Sequence, residues 1–256
     1  MIEVREHDRK YWQYEYDVVD RYMAPLLEQW GVLLKDARIL DVGCAEGGGL
    51  CALYDRGVHC MGFDIDRERV ELAEQLKGSR AIPFVPGNLY ETAFPFSDRQ
   101  FDLVVLHDVF EHLDHKDAML EKLKRYMKPD GRLLITFPPY YSAYGAHQQH
   151  LRAPFAKIPF FHLIPFTMSF LLPRLKGEHQ PFVEEIRKLA RLKMGMKKFE
   201  QIVSRGKLRV VGKETYLISP NHIRFGLKPI PAGPIARIPL LNEILCTGVV
   251  YLLEKC

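Results

Sequence analysis

Residues 41–49 read Asp-Val-Gly-Cys-Ala-Glu-Gly-Gly-Gly, an acid followed at once by a run dense in glycine. Glycine at Gly43 and Gly47 lets a backbone take positive φ and approach a ligand with no Cβ in between. The N–H groups of a following helix then face whatever lies on the turn. An ordinary strand-to-helix loop has similar composition, so the turn gains meaning from its neighbours. A second apolar run, VHCMGFDID, ends in Asp64 and Asp66; a later one, FDLVVLHD, leads into His107, Asp108, Glu111 and His112; His147 and His150 fall in YGAHQQH.

The charge of these neighbours narrows the chemistry. A dinucleotide turn wants Gly-x-Gly-x-x-Gly packed on a pyrophosphate, whereas here the order is Gly-x-Ala-x-Gly with Asp41 two residues ahead. A carboxylate repels a pyrophosphate and attracts the ammonium of a methionyl group, which points to S-adenosylmethionine.

The elements that must position these residues follow from periodicity. Residues 7–30 space Tyr11, Tyr14, Val18, Tyr22 and Leu26 as one leading helix. Strand-like runs then alternate with helical stretches through five rounds, the third strand at 81–86 and a helix running on from Val109. This alternation predicts a doubly wound α/β sheet with its ligand at the carboxyl ends of the strands. Residues 140–195 interrupt it with an apolar, proline-broken insertion, and 219–243 form a second, proline-rich loop. The first insertion stands over the crevice as a lid for a greasy substrate, or, through 154–173, as a surface dipping into a membrane interface. One domain over 1–256 carries both insertions.

Composition sets the setting. The chain has 256 residues, 27% of them charged, and five cysteines in neither paired nor zinc-finger spacing, which fits a reducing cytoplasm. Its N-terminus has no apolar core of a signal peptide. Residues 151–256 hold 18 Lys and Arg against 7 Asp and Glu, and the first 150 hold 18 against 25. The basic part favours an anionic partner: a phosphorylated substrate, a membrane surface or nucleic acid.

In ILDVGCAEGG, GFDID, PGN, FPFSDRQFDLVVLHDVFEHL and KPDGRLLITFPP, spread over residues 35–140, the chain resembles class I S-adenosylmethionine-dependent methyltransferases, in particular the small-molecule group of the ubiquinone-biosynthesis O-methyltransferases. The resemblance implies a Rossmann-like seven-stranded sheet with a reversed last strand. It also implies a methionyl contact by Asp41, Gly43, Cys44, Ala45 and Gly47. Asp64, with Ile65 beside it, would take the ribose hydroxyls, and Asn88 and Leu89 the adenine, with Asn88 where the family usually has Asp. His107 completes the cofactor set. Ala45 replaces the commoner glycine and is tolerated if its φ is negative. Asp66 is expected to cap a helix or face solvent.

For proton removal the candidates are His107, His112, His147 and His150. Asp108, Glu111 and His112 resemble the metal-binding Glu-x-x-Glu-His pattern of the quinone enzymes, but the expectation here is no metal. The function expected is methyl transfer to an oxygen, in second place to a carbon or nitrogen, of a lipophilic or aromatic small molecule. RNA methylation and a non-catalytic cofactor-binding partner are the alternatives; the absence of an RNA-binding module speaks against the first. The oligomeric state is left open.

Overall fold

The computed structural model describes residues 2–91, 97–164 and 177–256. The described residues form an eight-stranded sheet with the strand order β3-β2-β1-β4-β5-β8-β6-β7. The strands are β1 (Arg38–Val42), β2 (His59–Asp64), β3 (Phe84–Pro86), β4 (Phe101–His107), β5 (Met127–Phe137), β6 (Leu208–Ile218), β7 (Ile230–Pro231) and β8 (Gly248–Lys255). β3, β2, β1, β4 and β5 run parallel. β8 lies antiparallel between β5 and β6, which is the reversed last strand expected. The difference is an eighth strand: β7, two residues of the second insertion, pairs antiparallel with the outer edge of β6.

Side chains of the central strands alternate between two apolar layers. Leu40, Val104 and Leu106 enter one with Phe110, Leu120 and Phe199; Ile39, Leu103 and Val105 enter the other with Val18, Leu27 and Leu50. Burial on both faces is why these strands read as nearly continuous apolar runs. The strand order reverses between β1 and β4, so the crevice at their carboxyl ends is where a ligand is expected.

The elements depart from the sequence reading at three places, two helical and one in a strand. The leading helix is α1 (Glu6–Val18), a π-helical turn at Val19–Met23, and α2 (Ala24–Gln29). The stretch after β4 opens as a 3-10 turn, Phe110–His112, and breaks at His115 (φ 48°) before α5 (Lys116–Tyr126). β3 is half the length foreseen. The basic region after the first insertion forms two helices, α6 (Gln180–Leu192) and α7 (Met196–Arg205), as the pattern allowed.

The described parts of the first insertion, 140–164 and 177–195, comprise three 3-10 turns and α6, closed around Tyr140, Ala146, Leu151, Ala156, Val183 and Ile186. Ile158, Phe160 and Ile164 remain exposed. The rest of the proposed membrane-dipping stretch, Phe166 included, lies outside the described residues. No described helix is long and apolar enough to cross a membrane. The second insertion is a 3-10 turn (Pro220–Phe225), β7, another 3-10 turn and α8 (Pro239–Leu245).

The glycine turn joins β1 to α3 (Gly48–Asp55). Gly47 sits at φ 78°, and a Cβ there would meet the Phe84 ring at 2.5 Å. Gly47→Ala therefore combines left-handed strain with overpacking, together about 3 kcal/mol. Thermal unfolding should show a loss of roughly 6–12 °C; an unchanged midpoint would mean that the turn relaxes freely. Ala45 corrects the expectation of negative φ: it adopts φ 48°. The turn holds it there because its N–H donates to Asp64 Oδ2 at 2.9 Å.

Candidate functional site

Asp64, at the end of β2, is buried and ties the turn together. Its Oδ2 accepts from Ala45 N, and its Oδ1 accepts from Asp66 N at 2.9 Å. The carbonyl of Phe63 accepts from Gly43 N and Cys44 N at 2.7 and 3.2 Å. Asp66 caps α4 (Arg67–Leu76), accepting from Glu68 N and Arg69 N, one of the two roles foreseen for it.

The turn is ringed by carboxyls. Burial, then the charge of Asp64, pushes Asp41 up to about 7, and Asp41 Oδ1 is buried without a hydrogen-bond partner. Glu15, from α1, stands at the first turn of α3, where its Oε2 accepts from Gly48 N at 3.3 Å. Burial and then Glu46 hold it well above the carboxylate range. Glu46 is raised by burial as well, with Arg69 Nε 3.9 Å away. α1 presses on this end of α3 so closely that a Cβ on Gly48 would lie 2.0 Å from the Trp12 carbonyl. Buried acids short of partners favour a cationic ligand.

Two connected hollows open at the switch point. The smaller, about 260 Å3, is walled by Gly43, Ala45, Asp64, Ile65, Asn88, Leu89 and His107, all on the expected cofactor list. Asp41, Cys44 and Gly47 are not in that wall. They form the underside of the turn, with Cys44 buried beside Gly62 and Gly47 against Phe84. Asn88 spends its Oδ1 on Tyr90 N, at 3.0 Å. The larger hollow, about 780 Å3, brings together His112, His147 and His150 with Glu184, Glu185 and Lys188 of α6. Tyr11, Asp64, Arg69, His107, Asp108 and His112 border both hollows.

At this junction the structure supplies Thr136 and Asn221, which the sequence reading missed, beside His107 and Asp108, which it had named. Asp108 has φ 53°, a strained value for a non-glycine residue. Its Oδ1 accepts from Thr136 Oγ1 at 2.7 Å and its Oδ2 from Asn221 Nδ2. Asn221 Oδ1 lies 3.2 Å from His107 Nε2. Because the amide nitrogen faces a carboxylate, the amide oxygen is left to accept, and His107 must carry its proton on Nε2. In neutral His107 the lone pair is then on Nδ1. Asn221 comes from the second insertion, and a lone Asn-His pair in a proline-rich loop gave no signal.

His147 Nδ1 is 3.2 Å from Glu185 Oε1, and its ring lies 5.3 Å from that of His112. Burial and the neighbouring His147 depress His112 to about 4, and the same causes depress His150 to about 4, so both are neutral at pH 7.

Residues 40–135 match the family model described as a methyltransferase domain. Among curated proteins, the chain is similar to a phosphoethanolamine N-methyltransferase of Plasmodium falciparum, 32% identical over 108 residues, 41% of this chain and 40% of that one. An uncharacterized methyltransferase of Mycolicibacterium gilvum is 28% identical over 121 residues, 47% of each chain. The chain thus spans less than half the length of these relatives. Among solved structures, magnesium protoporphyrin IX methyltransferase from Synechocystis, with bound SAH, superposes at TM-score 0.56 and 14% identity, covering 100% of this chain and 90% of that one. An S-adenosylmethionine-dependent methyltransferase from Mesorhizobium loti gives 0.56 at 15%, covering 90% and 96%.

Proposed function

We infer that the chain, whose residues 40–135 are a class I S-adenosylmethionine-dependent methyltransferase domain, moves the cofactor's methyl group to an oxygen or amine nitrogen of a small polar molecule. The observation that carries this is the pair of hollows meeting at His107 and Asp108. One has the glycine turn and Asp64 for a cofactor, and the other is large enough for an acceptor. Methyl transfer from a sulfonium is an in-line displacement, so alignment supplies most of what the protein must add.

In this reading Asp64 receives the ribose hydroxyls, Gly43 and Ala45 flank the methionyl chain, and Ile65, Asn88 and Leu89 enclose the adenine. Glu15, in the wall of the smaller hollow, faces the cationic end of the cofactor, and Asp41 adds its charge from beneath the turn. Asp108, its oxygens held by Thr136 and Asn221, contributes negative charge beside the acceptor rather than a hydrogen bond, and His107 Nδ1 takes the acceptor's proton. A polar acceptor is favoured over the lipophilic one expected from composition. Support for this comes from the described insertion residues at the larger hollow, which beside Tyr144, Pro181 and Phe182 include His147, Gln149, His150, Glu184, Glu185 and Lys188. The nitrogen option draws support from those carboxylates and from the phosphoethanolamine N-methyltransferase relatives. The direct test is transfer of labelled methyl from the cofactor to panels of small amines, amino alcohols and phenols. Labelling of RNA alone would sink the reading.

The acids make cofactor binding depend on pH. A cation stabilises ionised Asp41, which in the free protein titrates near 7, so below that pH binding must expel a proton. Affinity should weaken by up to about tenfold per unit as pH falls below 7 and level off above it. Calorimetry from about pH 5.5 to 8, in buffers of differing ionisation enthalpy, should detect the released proton. A flat profile would remove the acids from cofactor recognition.

A further inference from the structure

One group of side chains, three of them lining the larger hollow and the fourth buried beside His112, is given no methyl or proton to carry in the proposed transfer. Glu111 follows β4 on the 3-10 turn and is 1% exposed, yet both of its carboxyl oxygens are buried with no hydrogen-bond partner. Its nearest basic atom is His112 Nε2, at 3.6 Å from Oε1, beyond hydrogen-bond reach. Lys116 does not serve it, because the ammonium donates to the carbonyls of Glu111 and Leu113 instead. A buried carboxyl that the protein leaves unmatched calls for a specific cause, and a bound ion is one.

The insertion supplies the rest of a shell. His147, at φ 58° ahead of the 3-10 turn Gln148–His150, and Glu185 of α6 both approach His112. One ligand atom each from Glu111, His112 and His147 lies within 4.8 Å of the others. Glu185 Oε1 stands 3.2 Å from His147 Nδ1 and 3.9 Å from His112 Nδ1. Nitrogen and oxygen donors bound at about 2.0–2.2 Å around one ion sit somewhat closer together than this, a difference that side-chain adjustment covers. Two imidazoles with carboxylates suit a transition cation of the zinc type better than magnesium or calcium.

We propose that Glu111, His112 and His147, completed by Glu185, bind one divalent transition-metal cation. The ion fastens the segment after β4 to both ends of the insertion, at 147 and at 185, and so fixes the roof of the acceptor hollow. This ligand set differs from the Asp108-Glu111-His112 pattern suggested by sequence resemblance. Asp108 is unavailable, since its two oxygens are held by Thr136 and Asn221. The assignment does not depend on what the enzyme methylates.

Chain stripped with chelator should take up one equivalent of Zn2+ in calorimetry and in competition with a chromogenic chelator, and its unfolding midpoint should rise with the metal. Glu111→Gln and His147→Ala should each weaken binding at least tenfold. His59→Ala, at an exposed imidazole of β2, should not. If His147→Ala fails to fold, Glu185→Gln is read in the same competition. Uptake of neither Zn2+ nor Mn2+, or stoichiometric uptake indifferent to Glu111→Gln and Glu185→Gln, overturns the proposal. So does a Glu111→Gln variant that is simply more stable while the parent binds no metal, because Glu111 is then a protonated core carboxyl.

Discussion

Asp64→Ala is expected to weaken S-adenosylmethionine binding by about 100-fold or more in calorimetry. The carboxylate is assigned two charge-assisted hydrogen bonds from the ribose, each worth roughly 1.5–3 kcal/mol, and about 3 kcal/mol is a factor above 100 in Kd. The same side chain also holds Ala45 N and Asp66 N, so the variant loosens the turn as well as losing a ligand contact. Asp64→Asn separates the two effects. An amide keeps one acceptor oxygen for the turn but lacks the charge and second acceptor for the ribose, so its binding should fall while its fold persists. Retained affinity in both variants would end the cofactor assignment.

The second large effect belongs to His107. His107→Ala should reduce kcat by about 10²- to 10⁴-fold, the range of a positioned general base, with cofactor affinity changed little by comparison. Asn221→Ala removes the partner that fixes the His107 tautomer and one support of Asp108, leaving the imidazole in place. A smaller loss, on the order of tenfold in kcat, is expected there. Single-turnover rates measured beside cofactor titration distinguish these losses from failed binding. Full activity in His107→Ala would move proton removal elsewhere, with His150 next in line as a neutral imidazole facing the same hollow.

These two experiments divide along what the chain reveals locally and what it does not. The turn at 43–49 and the capping role of Asp66 were readable because each is fixed by neighbours within a few residues. Glycine is required by φ at Gly43 and Gly47, and Asp66 caps residues two and three ahead of it. The sign of φ at Ala45 was misread, because it is set by a hydrogen bond from a strand 19 positions later. β7 escaped notice for a related reason. Two residues carry no period, and only the edge of β6 makes them a strand.

The sequence by itself determined the fold class of the protein: alternating apolar strands and amphipathic helices, a glycine turn after the first strand, and acids at 41 and 64 on the first two strands. Local periodicity and backbone stereochemistry encode these, and both are properties of adjacent residues. Only the tertiary structure decided which groups meet over the cofactor. Glu15 reaches the turn from α1, Asn221 reaches His107 across 114 positions, and His147 and Glu185 arrive at Glu111 from opposite ends of an insertion. Such meetings depend on how the sheet edges and insertions fold back over the switch point, and no spacing along the chain records them. The apolar insertion shows the same division. Its composition suggested a greasy chamber, and only the structure shows that, among its described residues, histidines and carboxylates line the hollow beside Tyr144 and Phe182.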